Sequence, residues 1–150
     1  MNIGGFVTTT LLDYPGKLAC TVFLSGCNFR CPFCQNGELV LSKMRNHEPE
    51  EVLSHLKKRQ GILEGVCVTG GEPTLSKELP DFLASIKELG YAVKLDTNGS
   101  HPEVLISLFE KNLIDYIAMD IKSSPANYTR TCGVSFSDNL AAIRNSIDFI

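Results

Sequence analysis

Short, almost wholly apolar runs alternate along the chain with longer stretches in which apolar residues recur at helical spacing. Residues 18–24, 66–68, 92–95 and 116–119 form the short runs, the pattern of strands buried on both faces. Between the first two, Val52, Leu53 and Leu56 share a helical face behind Pro49, which suits a first helical position, and Gly61 marks the stop. Leu79, Phe82, Leu83, Ile86 and Leu89 predict a second helix that ends before Gly90. Val104, Leu105, Leu108 and Phe109 predict a third, with Ser100 and Glu103 as a capping box and Pro102 in the first turn. A last helix is expected to begin near Ser137 or Asp138 and to run through Leu140, Ile143 and Ile147. The opening segment is read only as leading into a turn at Asp13-Tyr14-Pro15-Gly16.

Strands alternating with helices imply parallel pairing through right-handed crossovers, hence an α/β fold. A closed eight-unit barrel takes about 250 residues, and the chain has 150. The expectation is therefore a partial parallel (β/α) barrel truncated after the fourth β/α unit, one domain over residues 1–150 that is incomplete at its C-terminal end. Parallel α/β folds bind ligands at the carboxyl ends of their strands. Those ends fall at Cys27 onward, at Gly70-Gly71-Glu72, at Asp96-Thr97-Asn98 and at Asp120-Ile121-Lys122. Polar and glycine-rich residues mark all four, so four loops are expected to converge on one mouth.

Composition narrows the chemistry. A chain that is 43% hydrophobic and 21% charged, with 12 Gly and 7 Pro, is neither disordered, collagenous nor a coiled coil. Its net charge of −3 weighs against nucleic acid and anionic membrane surfaces as partners. Lys57-Lys58-Arg59 reads as the last turn of a helix, where cations suit the dipole. The first residues lack the basic and apolar regions of a secretory signal, and no apolar run could span a bilayer, so a cytoplasmic location is expected. Six cysteines there are thiols or metal ligands rather than disulfides.

Three of the six stand together as Cys27-Asn28-Phe29-Arg30-Cys31-Pro32-Phe33-Cys34, directly after a strand. Three sulfurs in one loop suit a soft metal centre. A [4Fe–4S] cluster held by three cysteines would keep one iron free for substrate, zinc would want a fourth ligand or a water, and ordinary thiols are the third alternative. Cys20 and Cys67 alternate with apolar residues and read as buried small side chains. Cys132 reads as a loop thiol without a partner, with a fourth metal ligand as the alternative, and His47, His55 and His101 as lying on helix or loop surfaces.

The cysteine array with an aromatic residue before its last cysteine, followed in order by Gly70-Gly71-Glu72-Pro73, resembles the radical S-adenosylmethionine (SAM) enzymes over nearly the whole chain. The opening, Gly5-Phe6 through Leu12-Asp13-Tyr14-Pro15-Gly16-Lys17, and Cys34-Gln35-Asn36-Gly37 are most similar to activating enzymes of glycyl-radical proteins. Between Cys34 and Gly70 no second set of cluster-spaced cysteines occurs, unlike the activating enzymes that carry a ferredoxin-like insert.

The resemblance implies that Cys27, Cys31 and Cys34 hold a [4Fe–4S] cluster, and that its fourth iron chelates the methionine part of S-adenosylmethionine. Phe33 would lie by the adenine; Gly70, Gly71 and Glu72 would receive the methionine ammonium; Asn98 or Thr97 would touch the ribose or carboxylate. Asp96, Thr97 and Asp120 are candidates for a monovalent cation site, with pairing of the two aspartates to Lys94 or Lys122 as the alternative; Lys122 is a second candidate for the carboxylate. The implied reaction is reductive cleavage to methionine and a 5′-deoxyadenosyl radical, which takes the α-hydrogen of a glycine on a partner protein and needs no general base. The implied partner is a glycyl-radical enzyme, nearest to anaerobic ribonucleoside-triphosphate reductase, with an electron donor such as flavodoxin or ferredoxin. A pyruvate formate-lyase-like partner, a small-molecule substrate and a zinc-stabilised binding module are the competing readings.

Overall fold

The computed structural model describes residues 1–41, 46–134 and 139–150. Five strands form one sheet in the order β1 (Ile3–Thr10), β2 (Ala19–Leu24), β3 (Gly65–Gly70), β4 (Ala92–Thr97) and β5 (Tyr116–Met119). The first pair is antiparallel and the other three pairs are parallel. Around them lie α1 (Gly37–Leu41), α2 (Pro49–Lys58), α3 (Leu79–Glu88), α4 (Pro102–Glu110), α5 (Tyr128–Cys132) and α6 (Asn139–Phe149). The α/β class and the four successive β/α units follow the sequence reading. Among the described residues no helix is long and apolar enough to cross a membrane.

The period of two along each strand separates two faces with different chemistry. Val22 and Leu24, Val66 and Val68, and Val93 and Leu95 point to one face, where Leu56 of α2, Leu83 of α3 and Leu105 of α4 join them in a single buried core. Each buried Leu or Val contributes about 1.5–3 kcal/mol by leaving water. The other face is polar. Thr21 pairs in register with Cys67, and Cys67 with Lys94, so these three side chains stand in a row across β2, β3 and β4. The β1–β2 connection closes the amino-terminal end of this face: Tyr14 is buried, and a Cβ on Gly65 would lie 2.8 Å from its ring. Asp13 follows it inward and accepts a hydrogen bond from the Thr21 hydroxyl at 2.5 Å.

Three expectations change. The opening segment is a full strand, β1; its exposed Thr8 and Thr9 and paired glycines give it little apolar contrast, and it stands at the edge of the sheet beside β2. Ser100 does not cap α4. His101 precedes Pro102 at the helix start, while the Ser100 hydroxyl accepts from Asn28 Nδ2 at 2.8 Å and its amide donates to Asn98 Oδ1 at 3.0 Å. Cys132 is no loop thiol but the last residue of α5, fully buried with Phe29, Tyr128 and Ile143. The expected start of the last helix at Ser137 or Asp138 lies outside the described residues; the helix itself runs through Leu140, Ile143 and Ile147.

Leu83 is fully buried in the core between α3 and the sheet. Leu83→Ala is expected to lower the unfolding free energy by about 2–5 kcal/mol, read from urea denaturation; a loss below about 0.5 kcal/mol would contradict this placement.

Candidate active site

All four strand ends meet at one cleft of about 300 Å³. Cys27, Cys31, Phe33 and Cys34 line it from the loop after β2, Gly70 and Gly71 from the end of β3, Asp96, Thr97 and Asn98 from the end of β4, and Asp120 and Lys122 from the segment just after β5. Of the twelve residues singled out from the sequence, only Glu72 is absent from the lining.

Glu72 is instead the anchor behind the cleft. It is 2% exposed, and its carboxylate accepts hydrogen bonds from the Thr74 amide (3.2 Å), the Thr74 hydroxyl, the Thr97 hydroxyl (2.8 Å) and the Asn98 amide (2.7 Å). A buried carboxylate is tolerable only when so satisfied. Thr74 has one hydroxyl hydrogen and gives it to Glu72, so His101 Nδ1, 3.0 Å away, is the donor to Thr74. His101 thus belongs to this network rather than to the surface expected for it. His47 and His55 do lie away from the cleft, against Glu51 and the Thr8 carbonyl respectively.

The glycines are required by close packing of chain on chain. Gly70 has φ +122°, and a Cβ there would stand 2.3 Å from backbone atoms of Leu24. At Gly71 a Cβ would come within 1.9 Å of the Gly26 carbonyl oxygen. That proximity lets the Gly71 amide donate to Leu24 and the Glu72 amide to Gly26, both at 2.8 Å, which lays the start of the cysteine loop over the end of β3. Asn28, which sequence reasoning missed, joins the same loop to β4: its Oδ1 accepts from Asn98 Nδ2 at 2.9 Å while its Nδ2 donates to Ser100. A lone asparagine between cysteines carries no spacing signal that could have exposed this role.

The six cysteines separate into two groups. Cys27, Cys31 and Cys34 line the cleft, and Cys34 is exposed. Cys20, Cys67 and Cys132 are buried, and burial pushes each thiol up to about 12; the charge of Asp96 adds to this at Cys67, and the nearby Cys31 at Cys132. Cys67 is not a plain apolar filler, since its Sγ stands 3.5 Å from Asp96 Oδ2 and 3.6 Å from Lys94 Nζ. Cys132 has a partner after all, a hydrogen bond with Cys31. All six are free thiols, and among the described residues no three acidic, histidine or cysteine groups already stand as a closed metal-ligand set. Both aspartates at the mouth are paired: Lys94 Nζ bonds Asp96 Oδ1, and Lys122 Nζ bonds Asp120 Oδ2 at 2.6 Å.

Comparison with known proteins shows the family. The profile of the Radical SAM superfamily matches residues 21–149, a span that contains the cysteine loop and all four strand ends. The chain belongs to the radical SAM superfamily. Membership implies a [4Fe–4S] cluster and S-adenosylmethionine, and three free thiols on one loop facing a cleft are a donor set that fits such a cluster.

A Methanocaldococcus jannaschii protein named as a glycyl-radical enzyme activating enzyme is 40% identical over 80% of this chain and 50% of its own length. An Aquifex aeolicus 7-carboxy-7-deazaguanine synthase is 35% identical over 51% of this chain and 34% of its own. Among solved structures, that of TYW1 with a lysine-pyruvate adduct bound superposes with a TM-score of 0.60 at 20% identity, covering 87% of this chain and 51% of that one. It shares the fold. The chain spans about half the length of the first of these relatives.

The two groups of cysteines should differ in alkylation. With iodoacetamide at pH 8 the folded, metal-free protein is expected to label at Cys34 first and then at Cys31 and Cys27, while Cys20, Cys67 and Cys132 stay unlabelled until denaturant is added. Peptide mass spectrometry reads the order, and labelling of Cys132 as fast as Cys34 would contradict its buried place.

Proposed function

We propose that this chain is the cofactor-binding core of a radical SAM activating enzyme that generates a glycyl radical on a partner protein. The observation that carries the reading is the shared cleft: three thiols of one loop open onto the same space as the carboxyl ends of β3, β4 and β5. Cys27, Cys31 and Cys34 would hold the [4Fe–4S] cluster, since soft thiolates suit iron–sulfur centres. Cluster and S-adenosylmethionine together supply a one-electron reductive cleavage of the sulfonium that ends in hydrogen abstraction from a glycine.

The protein's own residues bind and orient. Gly70 and Gly71 bring bare backbone to the cleft, where a ligand ammonium finds carbonyl acceptors without a side chain in the way. Phe33 is 56% exposed and offers its ring to an adenine. Thr97 and Asn98 are held by Glu72, so they meet a ribose or carboxylate in fixed positions, and Lys122 brings a positive charge to the same wall. For an inorganic monovalent cation at Asp96, Thr97 and Asp120, the two lysines already paired there are direct competitors.

A protein partner is favoured by the name of the Methanocaldococcus jannaschii relative. Anaerobic ribonucleoside-triphosphate reductase is the partner suggested by the opening motif, with flavodoxin or ferredoxin as electron donor and the cytoplasm, where thiols stay reduced, as the location. The Aquifex aeolicus relative keeps a small-molecule substrate as the second reading.

Anaerobic reconstitution with iron and sulfide tests the core of this reading. About four irons per chain are expected, with an EPR spectrum of the reduced protein that changes when S-adenosylmethionine is added, and Cys31→Ala is expected to abolish both. Stoichiometric zinc with no such spectrum would contradict it.

A further inference from the structure

The polar row inside the sheet contains a charge that the proposed reaction does not use. Lys94 lies on β4 two residues before Asp96, and the period of two puts both on the inner face. Its side chain is 9% exposed, yet its ammonium is an ion. An unpaired buried ammonium would be prohibitively costly, so its partners matter. They are Asp96 Oδ1, with which it forms a salt bridge, and Cys67 Sγ at 3.6 Å. Burial alone would pull the ammonium down, but the hydrogen bond to Asp96 and the charge of that carboxylate outweigh it and leave Lys94 above its ordinary value. The buried Tyr14 closes the amino-terminal end of this face. From that side Lys94 pairs with Asp96, whose carboxylate is 31% exposed and lines the cleft.

We propose that Lys94 is a tethered counter-ion for the cofactor site: its ammonium neutralises and positions Asp96, so that no inorganic monovalent cation is needed at this carboxylate. The inference rests on the reading of the cleft as an S-adenosylmethionine site. Three features carry it. The ammonium takes Asp96 Oδ1, and Cys67 donates to Asp96 Oδ2, so both oxygens are engaged from below. A free cation at the same carboxylate would sit beside a fixed positive charge, which a lysine held among buried groups cannot move away to relieve. Lys122 plays the same part for Asp120 at the end of the neighbouring strand β5, though there the carboxylate is 73% exposed and the pairing is correspondingly weak. Lys94 is therefore a positioning residue acting through Asp96, and its conformation is fixed by the strand rather than by solvent.

The test is the affinity of the anaerobically reconstituted protein for S-adenosylmethionine, measured by calorimetry in potassium chloride and in choline chloride at equal ionic strength. The unchanged protein is expected to bind equally in both, within about twofold. Lys94→Met is expected to bind about tenfold more weakly in choline and to regain affinity as potassium or ammonium is added, while Lys94→Arg stays independent of salt. Potassium-dependent binding by the unchanged protein would overturn the inference alone, a result that does not require any variant to fold. Equal weakening of Lys94→Met in both salts, without rescue, would also overturn it and leave Lys94 a structural residue. Absence of binding in either salt would overturn the cofactor reading and this inference with it.

Discussion

One buried carboxylate holds the mouth of this protein together. Glu72 leaves the end of β3 and accepts four hydrogen bonds, two from the turn at Thr74 and two from the end of β4 at Thr97 and Asn98. Because Asn98 in turn donates to Asn28, the same carboxylate fixes the cysteine loop at one remove. A network of this kind has high stakes in a low-dielectric setting, since loss of one partner strands the others. The cleft is thus set by a hydrogen-bonded frame and not by loops that happen to lie close.

The frame can be this tight only because the backbone meets itself where side chains are missing. Gly70 and Gly71 sit against Leu24 and Gly26 at distances no Cβ could accept. Bare glycine at a strand end therefore does two things at once: it seats the cysteine loop and lines the cleft without a side chain. On the other side of the sheet, Val and Leu pack against α2, α3 and α4 and make the platform rigid. An apolar face builds the fold and a polar face builds the site, separated by the alternation within each strand.

That division explains how much was legible in the sequence. The four parallel strands stand out because helices bury them, and their carboxyl ends are the obvious place for polar residues. β1 stayed hidden because an edge strand with Thr8 and Thr9 exposed has no apolar run to betray it. The capping box at Ser100 failed because the local pattern of Ser100 and Glu103 says nothing of Asn28, distant in sequence, whose side chain claims the hydroxyl. His101 and Cys132 were misplaced for the same reason: their partners, Thr74 and Cys31, come together only through the fold. The pairing of Asp96 with Lys94 lay within reach, since residues two apart on a strand share a face, but its burial did not.

The proposed chemistry depends on where the cluster and the methionine end of S-adenosylmethionine sit relative to this frame. The most direct measurement is an anaerobic crystal structure of the reconstituted protein with S-adenosylmethionine. The result predicted is a cluster on Cys27, Cys31 and Cys34, Cys132 uncoordinated, and the methionine between Gly70-Gly71 and Asp96-Thr97-Asn98 with Glu72 still bonded to the Asn98 amide. A metal held jointly by Cys132 and the loop cysteines, or a ligand bound away from these strand ends, would contradict it.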